Sequence, residues 1–276
     1  MPDADDAVVT RAASPDPADE PEQSLAGGMA NVGRVVRVGD TVRRPPSEFS
    51  AAGHALLDHL EAVGFQGAPR LLGVDQKGRS ILTYVEGEVG IPPYPGWVAN
   101  AELLVSVAEL QRRYHDAVAS FTPPADAVWN DALAAHAGPI VGHNDLCVEN
   151  VVARDGRAVA FIDFDFAAPV DPLWDVAIAL RHWVPVRDPV DLDEARCDVD
   201  QAARFHAYCD VYGVPTADRP RIVEFGLAFL DQAYASMKAR ADAGLPGYVE
   251  AWKAGYAAQN RRSHAWLATN ATVLTT

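Results

Sequence analysis

His143-Asn144-Asp145, Asn150, Ile162-Asp163-Phe164-Asp165 and Asp171-Pro172-Leu173-Trp174-Asp175 follow one another between positions 143 and 175. The spacing sets an Asp, an Asn five residues later and a second Asp eighteen residues after the first. Two short apolar runs, Val151-Val152-Ala153 and Ala158-Val159-Ala160-Phe161-Ile162, flank Arg154-Asp155-Gly156-Arg157. Asp-Gly at the centre of such a turn predicts a β-hairpin. Asn150 then stands at its entrance and Asp163 at its exit, which brings both side chains to one end. Asp171 reads as a helix N-cap with Pro172 at the first helical position, and Leu173, Val176, Ala177 and Leu180 form the inward face.

Upstream of this stretch, β-branched residues and arginines on both sides of Gly39-Asp40 predict a hairpin of 34–38 with 41–45. Residues 48–63 have helical spacing, with Leu56, Leu57, Leu60 and Val63 on one face and Gly64 just past the end. Residues 70–74 and 80–85 are two more strands joined by Asp75-Gln76-Lys77-Gly78. The order strand, strand, helix, strand, strand describes a small sheet with one packed helix. The Pro- and Gly-dense segment from Glu86 to Gly96 marks a lobe boundary. This divides the chain into an N-terminal lobe at 27–88 and a larger C-terminal lobe at 89–276. In the latter, Asn100 caps a helix with Leu103, Val107, Leu110, Tyr114 and Val118 buried. Residues 193–268 read as three amphipathic helices broken near Gly213-Val214-Pro215 and Gly244-Leu245-Pro246-Gly247.

Net charge is −15, which argues against nucleic acid or an anionic membrane as partner. Residues 1–22 hold seven acids and one Arg and lack periodicity, so 1–26 is read as a disordered acidic tail. No apolar run reaches bilayer length and the N-terminus lacks a signal pattern. Cys147, Cys197 and Cys209 have no metal-ligand spacing and are expected to be buried, reduced thiols. Together these features predict a cytoplasmic protein.

An Asp, an Asn five residues on and a later Asp-Phe are the parts that phosphoryl transfer requires. Such transfer needs alignment of donor and acceptor, and neutralisation of the phosphate oxygens, more than covalent work by the protein. Asp145 is the candidate catalytic group, orienting the acceptor hydroxyl and taking its proton. Asn150 and Asp163 offer hard oxygen ligands suited to Mg²⁺. His143 is assigned to bracing the loop through backbone hydrogen bonding, and Asp175 to pinning it. Asp165 has three open roles: metal, acceptor or solvent. A competing reading makes His143, Asp145 and Asp163 ligands of a metal hydrolase, but the nearest other histidine, His136, lacks a ligand spacing.

The donor side is less regular. Gly27, Gly28 and Gly33 lie where a loop could cover phosphates. Lysine occurs only at 77, 238 and 253, none on a predicted strand of the sheet, so Arg43 or Arg44 is the available cation. The helix carries Gly53-His54-Ala55 at its middle, with Glu48 near its start and Asp58 and Glu61 towards its end. Tyr84 and Val85, leading into the linker, are candidates to meet an adenine edge through backbone.

These residues resemble the aminoglycoside phosphotransferase and choline kinase-like superfamily of small-molecule kinases, from about Asn31 to Trp183. His143-Asn144-Asp145-Leu146 to Asn150 is similar to that family's H-G-D-x-x-x-x-N loop, with Asn144 in place of the common Gly. Ile162-Asp163-Phe164 and Asp171-Pro172 to Asp175 are similar to its I-D-[FW] and D-P-x-x-D segments. The resemblance implies an α+β, two-lobed protein-kinase-like fold, ATP or GTP as donor, Mg²⁺ and a small hydroxylated acceptor. Aminoglycosides and other antibiotics, amino alcohols and sugars are all acceptors within the superfamily. A cationic acceptor would suit Asp191, Asp193, Glu194, Asp198 and Asp200, although no acid follows Glu250. The rival expectation is a pseudokinase that binds nucleotide without transferring phosphate.

Overall fold

Residues around Gly39-Asp40 pair as their composition predicts, β2 (Val36–Val38) lying antiparallel to β3 (Thr41–Arg44) with Val36 opposite Arg43 and Val38 opposite Thr41. The computed structural model describes residues 21–25, 33–130, 132, 134 and 136–276. The sheet is completed by β4 (Leu71–Val74), β5 (Ser80–Thr83) and the short β1 (Gln23–Ser24), in the order β1-β2-β3-β5-β4. β1 corrects the expected extent of the tail. Gln23 and Ser24 pair with Arg37 and Val36, and Glu22 meets Arg79 at 2.8 Å, so the described residues 22–24 are joined to the sheet. The expectation of disorder over 1–20 and the position of Gly28 lie outside the described residues.

One helix packs on this sheet, α1 (Ser50–Ala62). Its apolar face buries Leu56, Leu57 and Leu60, and Gly64 ends it at φ 77°, a left-handed backbone that glycine adopts without a Cβ clash. α1 is tied to the second lobe where His59 Nε2 meets Ala117 O at 2.9 Å. The linker adds a second tie, because Glu88 exchanges both backbone hydrogen bonds with Ala153. Gly87 makes that approach feasible: a Cβ there would lie 2.5 Å from Ala153 O.

The second lobe is organised around α2 (Ala101–Val118), whose stripe Leu103, Val107, Leu110, Tyr114 and Val118 is buried as the spacing predicts. Asn100 caps it, its side-chain oxygen accepting from Glu102 N at 2.7 Å. Two small pairs of strands frame the motif. β7 (Val151–Arg154) and β8 (Arg157–Phe161) are the expected hairpin. β6 (Ile140–Gly142) and β9 (Ala168–Val170) form a pair that apolar alternation does not reveal, being only three residues each. α3 (Pro172–Trp183) starts at Asp171, whose carboxylate accepts from Leu173 N at 2.9 Å.

The remainder holds four helices rather than three: α4 (Gln201–Tyr212), α5 (Arg219–Asp242), α6 (Pro246–Lys253) and α7 (Tyr256–Thr275). The additional break falls at Gly255, where φ is 100° and α7 begins. Among the described residues no helix is long and apolar enough to cross a membrane. Cys209 is buried and Cys147 half-buried, but Cys197 is exposed, which corrects the expectation of three buried thiols.

Candidate active site

The loop after β6 carries the first motif residues in a conformation their side chains help to fix. Asn144 has φ 61°, and Asn tolerates the left-handed region better than most residues with a Cβ. This is the position at which the resembling family commonly has Gly. Asn144 adds what Gly could not: its Nδ2 donates to Phe166 O at 3.0 Å, joining the loop to the segment after Asp163. Asn144→Gly is therefore expected to leave the fold intact at a small cost. Asn144→Ala should lose about 1–2 kcal/mol in urea unfolding, because alanine brings a Cβ into left-handed space without that bond.

Asp175 holds the same loop from below. Its Oδ1 accepts from Asn144 N at 2.6 Å, and its Oδ2 from Gln111 Nε2 at 3.1 Å and His115 Nε2 at 2.9 Å. Burial alone would raise this carboxyl, but the His115 contact, His143 and the Asn144 amide together hold it below the usual carboxylate range. The network continues to Tyr208, whose hydroxyl donates to Gln111 Oε1 at 2.6 Å, and to Tyr212, 2.6 Å from His115 Nδ1. Gln111 and His115 sit four residues apart on the buried face of α2. That i, i+4 polar pair beside an apolar stripe is the sequence signal that could have revealed the partners of Asp175.

His143 is fully buried against Phe164, with ring centroids 4.7 Å apart. Its Nε2 lies 2.9 Å from Ile162 O, and burial pushes its proton affinity down, so the neutral ring donates to that carbonyl. Asp145 is joined to Asn150, which donates Nδ2 to both Asp145 O at 2.8 Å and Asp145 Oδ2 at 3.0 Å. Burial, then the nearby charges of Asp163 and Glu149, raise the Asp145 carboxyl well above its ordinary value, only partly offset by the Asn150 bond.

Asp163 follows the hairpin at φ 65°, ψ 69° and stays partly exposed at the cleft. Arg44 reaches it across the lobes: Nη2 lies 2.9 Å from Asp163 Oδ1 and 2.6 Å from Asp165 Oδ2. Asp165, whose role the spacing leaves open, is thus an acid partner of the strand cation. Arg43, the neighbouring candidate, is not brought to the cleft. Alternation along β3 turns it to the other face, where it meets the Thr41 hydroxyl and lies 3.9 Å from Asp75. α1 presents Gly53 and His54 to the space beside Arg44, with no acid at that point, and His54 bonds Ser80 at 2.7 Å.

Between the lobes lies a cleft with an open volume of ≈ 970 Å³. Val35, Val42, Leu82, Val152 and Ile162 form its apolar walls, while Arg44, Asn150 and Asp163 line its polar end. Tyr84 and Val85 also line it, and the Arg37 guanidinium stacks 3.7 Å from the Tyr84 ring centroid. Asn150 and Asp163 could hold Mg²⁺: Asn150 commits its nitrogen to Asp145, leaving an amide oxygen that accepts no hydrogen bond from described residues, and it lines the same cleft as Asp163. Two hard oxygens suit an ion that completes its shell with water and phosphate.

The sequence profile of the phosphotransferase enzyme family matches residues 123–221, a span that includes both motif loops. Over 168 residues the chain is 36% identical to the trifolitoxin immunity protein of Rhizobium leguminosarum bv. trifolii; the match covers 59% of this chain and spans 61% of that relative's length. A choline/ethanolamine kinase family protein from Mesorhizobium loti superposes with a TM-score of 0.62 at 17% identity, covering 93% of each chain. The GDP complex of aminoglycoside 2′-phosphotransferase-IIIa superposes with a TM-score of 0.55 at 15% identity, covering 92% of this chain and 93% of that one. The chain therefore has the α+β, protein-kinase-like fold that these small-molecule kinases share, and its residues 123–221 match the profile of the phosphotransferase enzyme family.

Proposed function

We propose that the protein is a small-molecule O-phosphotransferase, moving the γ-phosphoryl group of ATP or GTP to an acceptor hydroxyl with Mg²⁺. The observation that carries this is the joining of Asp145 by two hydrogen bonds to Asn150, which lines the cleft together with Asp163 and Arg44. Residues 27–88 are the donor lobe in this reading, and 89–276 the catalytic and acceptor lobe. Asp145 orients the acceptor hydroxyl and accepts its proton; a carboxyl whose proton affinity is raised by burial suits that task. Asn150 and Asp163 would hold Mg²⁺, which neutralises the phosphate oxygens when bound. Arg44 offers a guanidinium fork to the same phosphates. The apolar walls take the purine, with the backbone of Thr83 to Val85 at its edge. His143 and Asp175 keep the loop in register.

The acceptor class spans amino alcohols, sugars and antibiotics. The likeness to an immunity protein supports a toxic small molecule as one candidate, since phosphorylation would disarm it. The setting proposed is cytoplasmic, where nucleotide is abundant. A second reading, nucleotide binding without transfer, is favoured by Arg44 seated on Asp163 and by the absence of an acid where α1 faces Arg44.

Thermal shift with ATP and GTP, each with and without Mg²⁺, tests the donor site. A ligand at 100 times its Kd adds about 2.7 kcal/mol, so a Mg²⁺-dependent shift is expected in wild type and should be lost in Asp163→Asn. An Asp163→Asn protein with unchanged Mg²⁺ dependence would sink the metal assignment. No shift with either nucleotide would remove the donor site altogether, and binding without transfer to any hydroxylated acceptor would support the second reading.

A further inference from the structure

Three arginines gather at the end of α3 and in the segment that follows it, in a chain whose net charge is −15. Arg181 Nη1 and Arg187 Nε are buried atoms with no hydrogen-bond partner. Among the described residues, neither guanidinium forms an ion pair with a carboxylate, whereas most other buried or half-buried arginines do. Arg196, itself 2% exposed, donates to Asp193 Oδ2 and to His182 O. Burying a guanidinium without a counter-charge is strongly unfavourable. Here the groups also repel one another: burial first, then Arg181 and Arg196, push Arg187 down to about 10, and burial with the same arginines keeps His182 neutral.

The nearby acids do not balance this. Asp193 has Oδ2 on Arg196 while its Oδ1 is buried without a hydrogen-bond partner, and its charge offsets only part of what burial, Arg181 and Arg196 do to Arg187. Asp188 caps the following turn through Val190 N, and Asp191 is chelated by Arg262. Asp200 caps α4. Three of the five acids that would suit a cationic acceptor are thus committed within the protein.

The cluster adjoins the catalytic loop. Trp183 Nε1 donates to Leu146 O at 3.0 Å, one residue after Asp145. The Arg196 guanidinium stacks 4.6 Å from the Tyr94 ring, and the Tyr94 hydroxyl donates to Glu149 Oε1 at 3.0 Å, next to Asn150.

We infer that the acceptor carries an anionic group, a carboxylate or a phosphate ester, held by Arg187 and Arg181 with Arg196 as their fixed neighbour. This rests on the phosphotransfer reading for the word acceptor, but not for the binding site. Two unpartnered guanidinium edges, in a region already positive, complement a planar or tetrahedral anion. A cationic amino alcohol would meet repulsion there.

The test is binding without nucleotide, so that failure of phosphotransfer leaves its outcome untouched. Inorganic phosphate is titrated by thermal shift on wild type, Arg187→Gln and Arg44→Gln. A rise in Tm is expected in wild type and Arg44→Gln, with affinity at least tenfold weaker in Arg187→Gln. A rise that Arg187→Gln keeps and Arg44→Gln loses puts the anion at the donor cleft and overturns the proposal, as does no rise in wild type. Should Arg187→Gln fail to fold by circular dichroism, Arg187→Lys serves. It keeps the charge but not the fork and should bind severalfold more weakly; unchanged affinity overturns the proposal. Glycerate and glycerol 3-phosphate, with glycerol as the uncharged control, then separate carboxylate from phosphate. Glycerol binding as well as either one overturns the proposal.

Discussion

Asp145→Ala should lower turnover by about 10²–10⁴ while leaving nucleotide affinity within a few-fold of wild type. Asp145 touches Asn150 but makes no hydrogen bond to Arg44, and it is not among the residues that line the apolar cleft. In the proposed role, its loss removes the group that aligns the acceptor hydroxyl and takes its proton. Asp145→Asn should behave almost as badly, because the amide keeps the shape without a basic oxygen. Coupled turnover assays alongside calorimetric nucleotide binding separate the two effects. Equal loss of binding and turnover would show that Asp145 serves the donor site instead, and would return the acceptor role to an unassigned residue.

Asp175→Ala is expected to cost about 3–5 kcal/mol of stability, read from urea denaturation. The substitution leaves the Asn144 amide, Gln111 and His115 facing a buried void, with no water-exposed face to relieve them. A loss under 1 kcal/mol would mean that the network carries little and that the loop is held elsewhere. The pH dependence has a definite sign. Because the folded carboxyl lies below its ordinary value of 3.8, its contribution is present above that value and lost as pH falls through the folded one. The stability gap between wild type and Asp175→Asn should therefore stay constant from neutral pH to about 4 and shrink below it. Asp145 acts in the opposite sense: its raised carboxyl favours the folded state at pH below its ordinary range, and that contribution fades as pH rises through the folded value.

The hairpin of β7 and β8 was legible because the strands are local and Asp-Gly marks the turn, so Asn150 and Asp163 could be set at one end without any long-range knowledge. The helix starts at Asn100 and Asp171 were legible for the same reason: a cap acts within three residues. β6 and β9 were not, since each is three residues long and exists only because the partner, 30 positions away at the Ile140–Val170 pair, supplies the hydrogen bonds. The break at Gly255 was hidden in a glycine no different in sequence from others that interrupt nothing.

The choice between Arg43 and Arg44 turned on which face of β3 looks into the cleft. Both are adjacent strand arginines, and only the placement of α1 and the second lobe tells the faces apart. Asp165 met the same limit, because its partner lies 121 residues away. What residues 143–175 carried unaided was the candidate set of acids and amide, its spacing and the fold class it implies, since those depend on short-range geometry and on the chemistry of carboxylates and amides. What the tertiary structure alone decided was charge pairing: Arg44 with Asp163 and Asp165, Asp175 with His115, and Arg181 and Arg187 with no carboxylate among the described residues. Coulomb energy depends on separation in space and on burial, and neither is written in the order of the residues.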